Sequence, residues 1–319
     1  MATKIELIED IINEIKYLKE KKNAVILSHN YQLPEIQDVS DFIGDSLNLS
    51  LEAANTTADT IVFCGVHFMA ETASILCPRK TVLIPDLEAG CSLASTINIE
   101  QLRRWKEKYP NAVVVSYVNT TAEIKAESDY CCTSSNAIKI VNSIPKDKEI
   151  LFLPDMFLGS YIASETERNI HIWPGECHVH ADMRIEDVNK KLEDVKNAEF
   201  LIHPECGCVS KYLYHLSEDD IKNKQTHILS TEGMVKRVKE SQNNKFVIAT
   251  EVGILHRINK EVNNKELIPL KEDAVCKYMK MITLEKLHQS LKNNIFEVKV
   301  PEKIANKARL SIERMIEIT

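Results

Sequence analysis

Glycine is scarce in this chain, 8 in 319 residues, where about 7% is usual. Neither the GxGxxG nor the GxxxxGK[ST] pattern occurs, so the backbone cradles that dinucleotides and nucleoside triphosphates use are missing. No apolar run approaches the roughly 18 residues that a membrane span needs. The first residues mix acids and bases rather than forming an export signal, so a cytoplasmic protein with no membrane partner is expected. A basic face is lacking too: 40 Lys and Arg stand against 47 Asp and Glu, a net charge of −7, which argues against nucleic acid as a partner. Low-complexity tracts and evident linkers are absent. Cysteine, by contrast, is plentiful. Nine cysteines in a chain without an export signal read as reduced thiols or metal ligands rather than disulfides.

What the chain does have is internal repetition, the feature that most directly reveals architecture. Asn23-Ala24-Val25-Ile26-Leu27-Ser28 returns 88 residues later as Asn111-Ala112-Val113-Val114-Val115-Ser116. The register then holds without gaps: Glu35-Ile36 matches Glu123-Ile124, Asp41 matches Asp129, Ser46 matches Ser134 and Asn48 matches Asn136. A third copy opens at Asn197-Ala198 and carries about ten extra residues between His203 and Ser230. Short β-rich runs alternate with stretches of 3.6-residue periodicity, the pattern of strand-helix-strand units and parallel sheets. Three α/β domains are therefore expected, at 1–108, 109–195 and 196–319. The apolar spacing of Ile5 to Leu18 and of Ile304 to Met315 predicts amphipathic terminal helices, and charged helix-like runs follow at 98–109, 184–195 and 283–293.

Each copy also ends alike. Ile84-Pro85, Trp173-Pro174 and Ile268-Pro269 lead to Cys91, Cys177 and Cys276. A single cysteine with apolar flanks is usually a small buried hydrophobe, but three at matching positions in three repeats suggest one three-thiolate metal site. Structural zinc would want four closed ligands and catalytic zinc more often includes histidine. An iron-sulfur cluster with three protein cysteines leaves one iron open as a Lewis acid. After the first strand of each copy come His29 and Tyr31, Tyr117 and Asn119, and His203 and Glu205, all at i, i+2. Ser46, Ser134 and Ser230-Thr231 stand where loops enter helices, where free N–H groups and the helix dipole favour anions. Any one of these serines alone reads as an N-cap; their recurrence points to converging anion sites.

The segments His29-Asn30-Tyr31-Gln32-x-Pro34-Glu35-Ile36-Gln37-Asp38 and Asp41-Phe42-Ile43-Gly44-Asp45-Ser46-Leu47 resemble the quinolinate synthase family. So do Phe63-Cys64-Gly65-Val66-x-Phe68-Met69-Ala70-Glu71-Thr72, Tyr117-Val118-Asn119-Thr120-Thr121-Ala122-Glu123, His203-Pro204-Glu205-Cys206 and Lys271-Glu272-Asp273-Ala274-x-Cys276. The resemblance covers essentially the whole chain. It implies three αβα domains about a pseudo-threefold axis with a central 4Fe-4S cluster, held by Cys91, Cys177 and Cys276. It further implies condensation of iminoaspartate with dihydroxyacetone phosphate to quinolinate, phosphate and two waters, at the entry to de novo NAD synthesis. L-aspartate oxidase would be a transient partner that delivers iminoaspartate. By the same resemblance His29, Ser46, Tyr117, Val118, Asn119, Ser134, His203, Pro204, Glu205, Ser230 and Thr231 bind substrate. Glu205 is assigned as general base and Tyr31 as proton donor or positioner, with His203 and Tyr117 also in the catalytic group.

Other residues carry blander readings. Cys206 and Cys208 form a Cys-x-Cys pair that admits a disulfide switch. Cys131 and Cys132 are open to either pocket or core, whereas Cys64 and Cys77 read as buried. His180, three past Cys177, either assists or orients a ligand. His67 reads as solvent-facing, and Trp105 and Trp173 read as packing residues. Two rival functions share the same open iron: an iron-sulfur hydro-lyase of another pathway and a non-enzymatic iron-sulfur sensor.

Overall fold

A computed structural model describes residues 4–209 and 225–318. Most of the insertion expected in the third copy lies outside the described residues. The first sheet contains β1 (Ala24–His29), β2 (Phe42–Gly44), β3 (Thr60–Cys64) and β4 (Thr81–Leu83), in the order β2-β1-β3-β4. The second contains β5 (Val113–Tyr117), β6 (Tyr130–Cys132), β7 (Ile150–Leu153) and β8 (Ile170–Ile172), in the order β6-β5-β7-β8. The third contains β9 (Glu199–Ile202), β10 (Thr226–Ile228), β11 (Lys245–Ala249) and β12 (Glu266–Pro269), in the order β10-β9-β11-β12. Every pairing within these sheets is parallel. The α/β class with three short parallel sheets is the one the repeats predict.

The repeat is physical as well as textual. Asp41 Oδ2 accepts from the Ile26 N–H at 2.9 Å and Asp129 Oδ2 accepts from the Val114 N–H at 2.8 Å. Matched aspartates thus tie the edge strand of each of these sheets to its central strand. In all three sheets the chain steps from the first strand to one side and then crosses to the other. That makes the carboxyl end of the first strand a topological switch point, where open α/β sheets bind ligands. His29, Tyr117 and His203 lie there.

The charged runs form α5 (Ile99–Lys108), α9 (Ile185–Asp194) and α12 (Leu284–Asn293). Asn98 starts α5 with a capping box: its side chain accepts from the Gln101 N–H, and the Gln101 side chain accepts from the Asn98 N–H, both at 2.9 Å. Satisfying two otherwise orphaned donors fixes where the helix begins. Each of these helices packs on the sheet of the following copy. Leu102 of α5 is buried with Val114 and Leu151 of the second sheet. Val188 of α9 lies with Phe200 and Val247 of the third. Helix α12 closes the ring by packing on β3 and on α1 (Lys4–Lys21). Burial of one such aliphatic side chain stabilises the fold by roughly 1.5–3 kcal/mol, so the three copies are tied together by apolar contact rather than by linkers.

The C-terminal helix α13 (Glu302–Glu317) lies across the second copy. Asn136 Nδ2 donates to the Met315 and Ile318 carbonyls, each at 2.8 Å, and Arg314 donates to the Asp129 carbonyl at 2.6 Å. Among the described residues no helix is long and apolar enough to cross a membrane.

Candidate active site

The carboxyl ends of the three sheets face one cavity. Its wall includes His29, Tyr31 and Ser46 from the first copy, Tyr117, Asn119 and Ser134 from the second, and His203, Glu205 and Thr231 from the third. Cys91, Cys177 and Cys276 line the same cavity, with Val66, Phe68, Met69, Val179 and Met279 supplying apolar wall. Of the residues the sequence points to, Val118, Pro204 and Ser230 are not in that wall. Val118 is buried with its N–H bonded to the Cys132 carbonyl at 2.8 Å. Ser230 is the N-cap of α10 (Thr231–Glu240), accepting from the Gly233 N–H at 3.2 Å, and it opens on a neighbouring surface groove.

Two of the three i, i+2 pairs share a local bond. His29 Nδ1 accepts from the Tyr31 N–H at 3.2 Å, and His203 Nδ1 accepts from the Glu205 N–H at 3.4 Å. Burial pushes both imidazoles down to about 3, against the pull of Glu205. Each ring is therefore neutral near pH 7, with Nδ1 committed as acceptor, and its proton resides on Nε2 as a donor.

His180 is central to the site's polar network. Its Nδ1 lies 3.3 Å from Cys177 Sγ and 3.1 Å from Glu205 Oε2, and its Nε2 lies 2.9 Å from Thr250 Oγ1. The Tyr31 hydroxyl in turn is 2.5 Å from Thr250 Oγ1 and 3.4 Å from His180 Nε2. The Tyr117 hydroxyl donates to Glu205 Oε1, and the His180 and His203 rings stack with centroids 4.8 Å apart. Burial opposes charge on His180, but Cys177 and Glu205 beside it outweigh that and raise its proton affinity. Burial likewise opposes the Glu205 carboxylate, and His180 and the Tyr117 hydroxyl hold it below the ordinary range. Glu205 is thus an ionised carboxylate in a dry site, paired with His180. Burial and Glu205 together push both tyrosines well above 10, so they are phenols, able to donate.

The three cysteines are held in equivalent turns. Each carbonyl accepts from the N–H four residues on: Ser95 to Cys91 at 3.2 Å, Ala181 to Cys177 at 2.8 Å and Lys280 to Cys276 at 3.2 Å. Glu251, buried at the end of β11, accepts from the Cys276 N–H at 3.1 Å and the Gly253 N–H at 2.7 Å, and pairs with Lys280 at 2.9 Å. Gly253 is required here, because a Cβ would lie 2.9 Å from the Tyr31 backbone. Burial raises all three thiols, Cys91 to about 12, so these sulfurs ionise only against a cation. Among the described residues one trio of donors lies within 4.8 Å of one another, Cys177, His180 and Glu205. Cys91, Cys177 and Cys276 form no such trio; they face one opening from three sides, which fits a multinuclear group better than one shared ion. The all-sulfur donor set, one per copy, fits iron-sulfur ligation.

All nine cysteines are free. Cys206 and Cys208 are fully buried in the core under the third sheet, and Cys206 Sγ donates to the Ala249 carbonyl at 3.2 Å. Cys64, Cys131 and Cys132 are also fully buried. Thr250 and Glu251 escaped the sequence reading. Glu251 follows β11 as Asp155 follows β7, so aligning the third strand of each copy as well as the first would have exposed it.

A family model described as "Quinolinate synthetase A protein" matches residues 13–317. The quinolinate synthase of Pyrobaculum aerophilum is 58% identical over 304 residues, covering 95% of this chain and 98% of that one. A quinolinate synthase of Thermus thermophilus is 55% identical over 310 residues, covering 97% of this chain and 98% of that one. A solved reductase structure from Plasmodium falciparum, 15% identical with a TM-score of 0.37 over 90% of this chain and 94% of that one, is too distant to bear on either fold or function.

Proposed function

This chain belongs to the quinolinate synthetase A family of enzymes, and from that premise we propose that it condenses iminoaspartate with dihydroxyacetone phosphate. The products are quinolinate, phosphate and two waters, supplying the pyridine ring for NAD synthesis. The observation that carries this reading is the single cavity that joins three thiols to an ionised Glu205 and to helix-end hydroxyls.

Cys91, Cys177 and Cys276 would hold a 4Fe-4S cluster. When bound, such a cluster supplies a Lewis acid at the iron that has no protein ligand. The remaining chemistry belongs to the chain's own residues. Both substrates are anionic, which suits Ser46 at the start of α3 (Ser46–Asn55) and Thr231 at the start of α10, where helix N–H groups add their dipole. Glu205 takes a proton from a substrate carbon or amine and returns it at a leaving oxygen. His180 stabilises that carboxylate from one side, and the Tyr117 phenol donates to it from the other. Tyr31 acts as proton donor, its hydroxyl oriented by Thr250. The neutral His29 and His203 present Nε2–H groups to carboxylate or phosphate oxygens. The buried Asn119 Oδ1 has no protein partner among the described residues and is free to accept from an imine or hydroxyl. The apolar wall excludes water, which strengthens each of these contacts. A transient encounter with L-aspartate oxidase is part of the proposal, because an imine hydrolyses in water and benefits from prompt transfer.

The test is direct. Anaerobically reconstituted protein, given aspartate with L-aspartate oxidase and dihydroxyacetone phosphate, should form quinolinate, detected chromatographically. Protein that carries iron and sulfide but forms none would refute the proposal and leave a hydro-lyase or a sensor.

A further inference from the structure

Thr231 is 3% exposed and lines the cavity, and its hydroxyl oxygen accepts a hydrogen bond from Asn30 Nδ2 at 2.9 Å. The orientation of that amide is not arbitrary. Arg257 Nη1 lies 2.7 Å from the other end of the Asn30 amide. A guanidinium has only donors, so the atom facing Arg257 must be the carboxamide oxygen and the atom facing Thr231 must be the nitrogen. Arg257 is itself fixed. Its Nη1 and Nη2 grip Glu232 at 2.7 and 2.9 Å, and its Nε donates to Glu261 at 2.8 Å. Its side chain is 9% exposed, while Asn30 is fully buried and its carbonyl accepts from Gln37 Nε2 at 3.2 Å. No acceptor for the Thr231 hydrogen is found among the described residues.

We propose that Arg257 and Asn30 are positioning residues that lock the Thr231 hydroxyl as a donor into the cavity, and so select an anionic oxygen at that point. The relay starts at Arg257: it fixes the Asn30 flip, Asn30 occupies one of the two lone pairs of Thr231, and the Thr231 proton, with no acceptor among the described residues, is left for the ligand. A carboxylate or phosphate oxygen is favoured there, because it accepts that otherwise unused proton. This rests on the function proposed above and deepens it, by naming how one wall of the site chooses charge. Sequence proximity would not reveal it, since the three residues lie on β1's exit loop, at the start of α10 and on α11 (Ile254–Glu261).

The experiment measures quinolinate binding to anaerobically reconstituted holoenzyme by titration calorimetry at pH 7.5, with KM and kcat alongside. Thr231→Val should weaken binding about 10- to 100-fold, the range for a hydrogen bond to a charged group. Asn30→Asp keeps the shape and the contact to Arg257, which holds the new carboxylate ionised; Thr231 then donates to that carboxylate instead of to the ligand. The variant should weaken binding by a similar factor, with KM moved more than kcat. In the Thr231→Val background the same Asn30→Asp change should have less than about a twofold further effect, the signature of residues acting through one another. Arg257→Met should behave likewise, provided its circular dichroism matches wild type. Wild-type affinity in Asn30→Asp, or an equal loss with and without Thr231, would overturn the relay. Failure of the wild-type holoenzyme to bind or make quinolinate would instead sink the underlying function.

Discussion

The two ends of the cavity are built on opposite principles. At one end Cys91, Cys177 and Cys276 offer three half-buried thiols whose ionisation burial opposes. At the other, Ser46, Ser134 and Thr231 offer neutral hydroxyls near helix starts. The thiol end cannot be partly satisfied. Three raised thiols become three thiolates only together with a cationic group, so that end is either assembled or inert. The hydroxyl end divides its task among separate donors, each helped by a fixed dipole that needs no partner. Glu205 stands between, tied by His180 to Cys177 and by Tyr117 to the second sheet. Losses should therefore run from complete to slight along the cavity.

The largest effect is expected at the thiol end. Replacing any one of Cys91, Cys177 or Cys276 by Ser should abolish iron incorporation and quinolinate formation, while far-ultraviolet circular dichroism stays native. The contrast is with thiols of the core. Cys64→Val and Cys132→Val, at fully buried sites, should retain iron and activity and change stability by about 1–2 kcal/mol, read as a shift in the denaturation midpoint. A cavity cysteine variant that still binds iron stoichiometrically would break the distinction between the two groups.

An intermediate effect is expected at the middle of the cavity. Glu205→Gln keeps the shape but removes both the base and the counter-ion of His180, and should lower kcat by about 100- to 10,000-fold. Iron content should be unchanged, because the three sulfurs are untouched. Full turnover in this variant would remove Glu205 from the chemistry and leave His180 and the tyrosines to carry it.

How much of this contrast could be read from the sequence follows from how each part is encoded. The thiols, the i, i+2 pairs and the helix-end serines recur at matched offsets, and repetition carries spatial information even without contacts. Asp41 and Asp129 match in sequence because they make the same backbone bond. Thr250 and Arg257 were not legible, because each is a common residue with no matching type in the other copies, and the Glu251 match to Asp155 shows only when the third strands are aligned. Their roles come only from long-range approach, 219 residues in the case of Tyr31 and Thr250. The packing of α5, α9 and α12 on the next sheet was hidden for a different reason. An amphipathic stripe says that a helix buries one face, and leaves open against what. Nor does hydropathy tell Cys91 from Cys64; their difference is that the chain turns after one and stays in a strand at the other.

The smallest effects belong to the hydroxyl end, at Ser46 and Ser134. No protein acceptor is found for either side chain among the described residues, and each lies beside backbone N–H groups that remain after the hydroxyl is removed. Ser46 follows the true N-cap, Asp45, which accepts from the Asn48 N–H at 2.9 Å. Ser46→Ala therefore leaves the helix start intact. Because those backbone N–H groups go on holding the anion, the loss should fall below the range for a bond to a charged group, at about 0.5–1.5 kcal/mol, so each Ser→Ala change should raise KM for one substrate by about 2- to 10-fold with kcat nearly constant. If the two serines hold different anionic groups, Ser46→Ala and Ser134→Ala should each move the KM of a different substrate, and the double variant should show both shifts unchanged. Should either substitution instead lower kcat and leave both KM values alone, that serine would act on the transition state, and the hydroxyl end would join Glu205 in the chemistry rather than contrast with it.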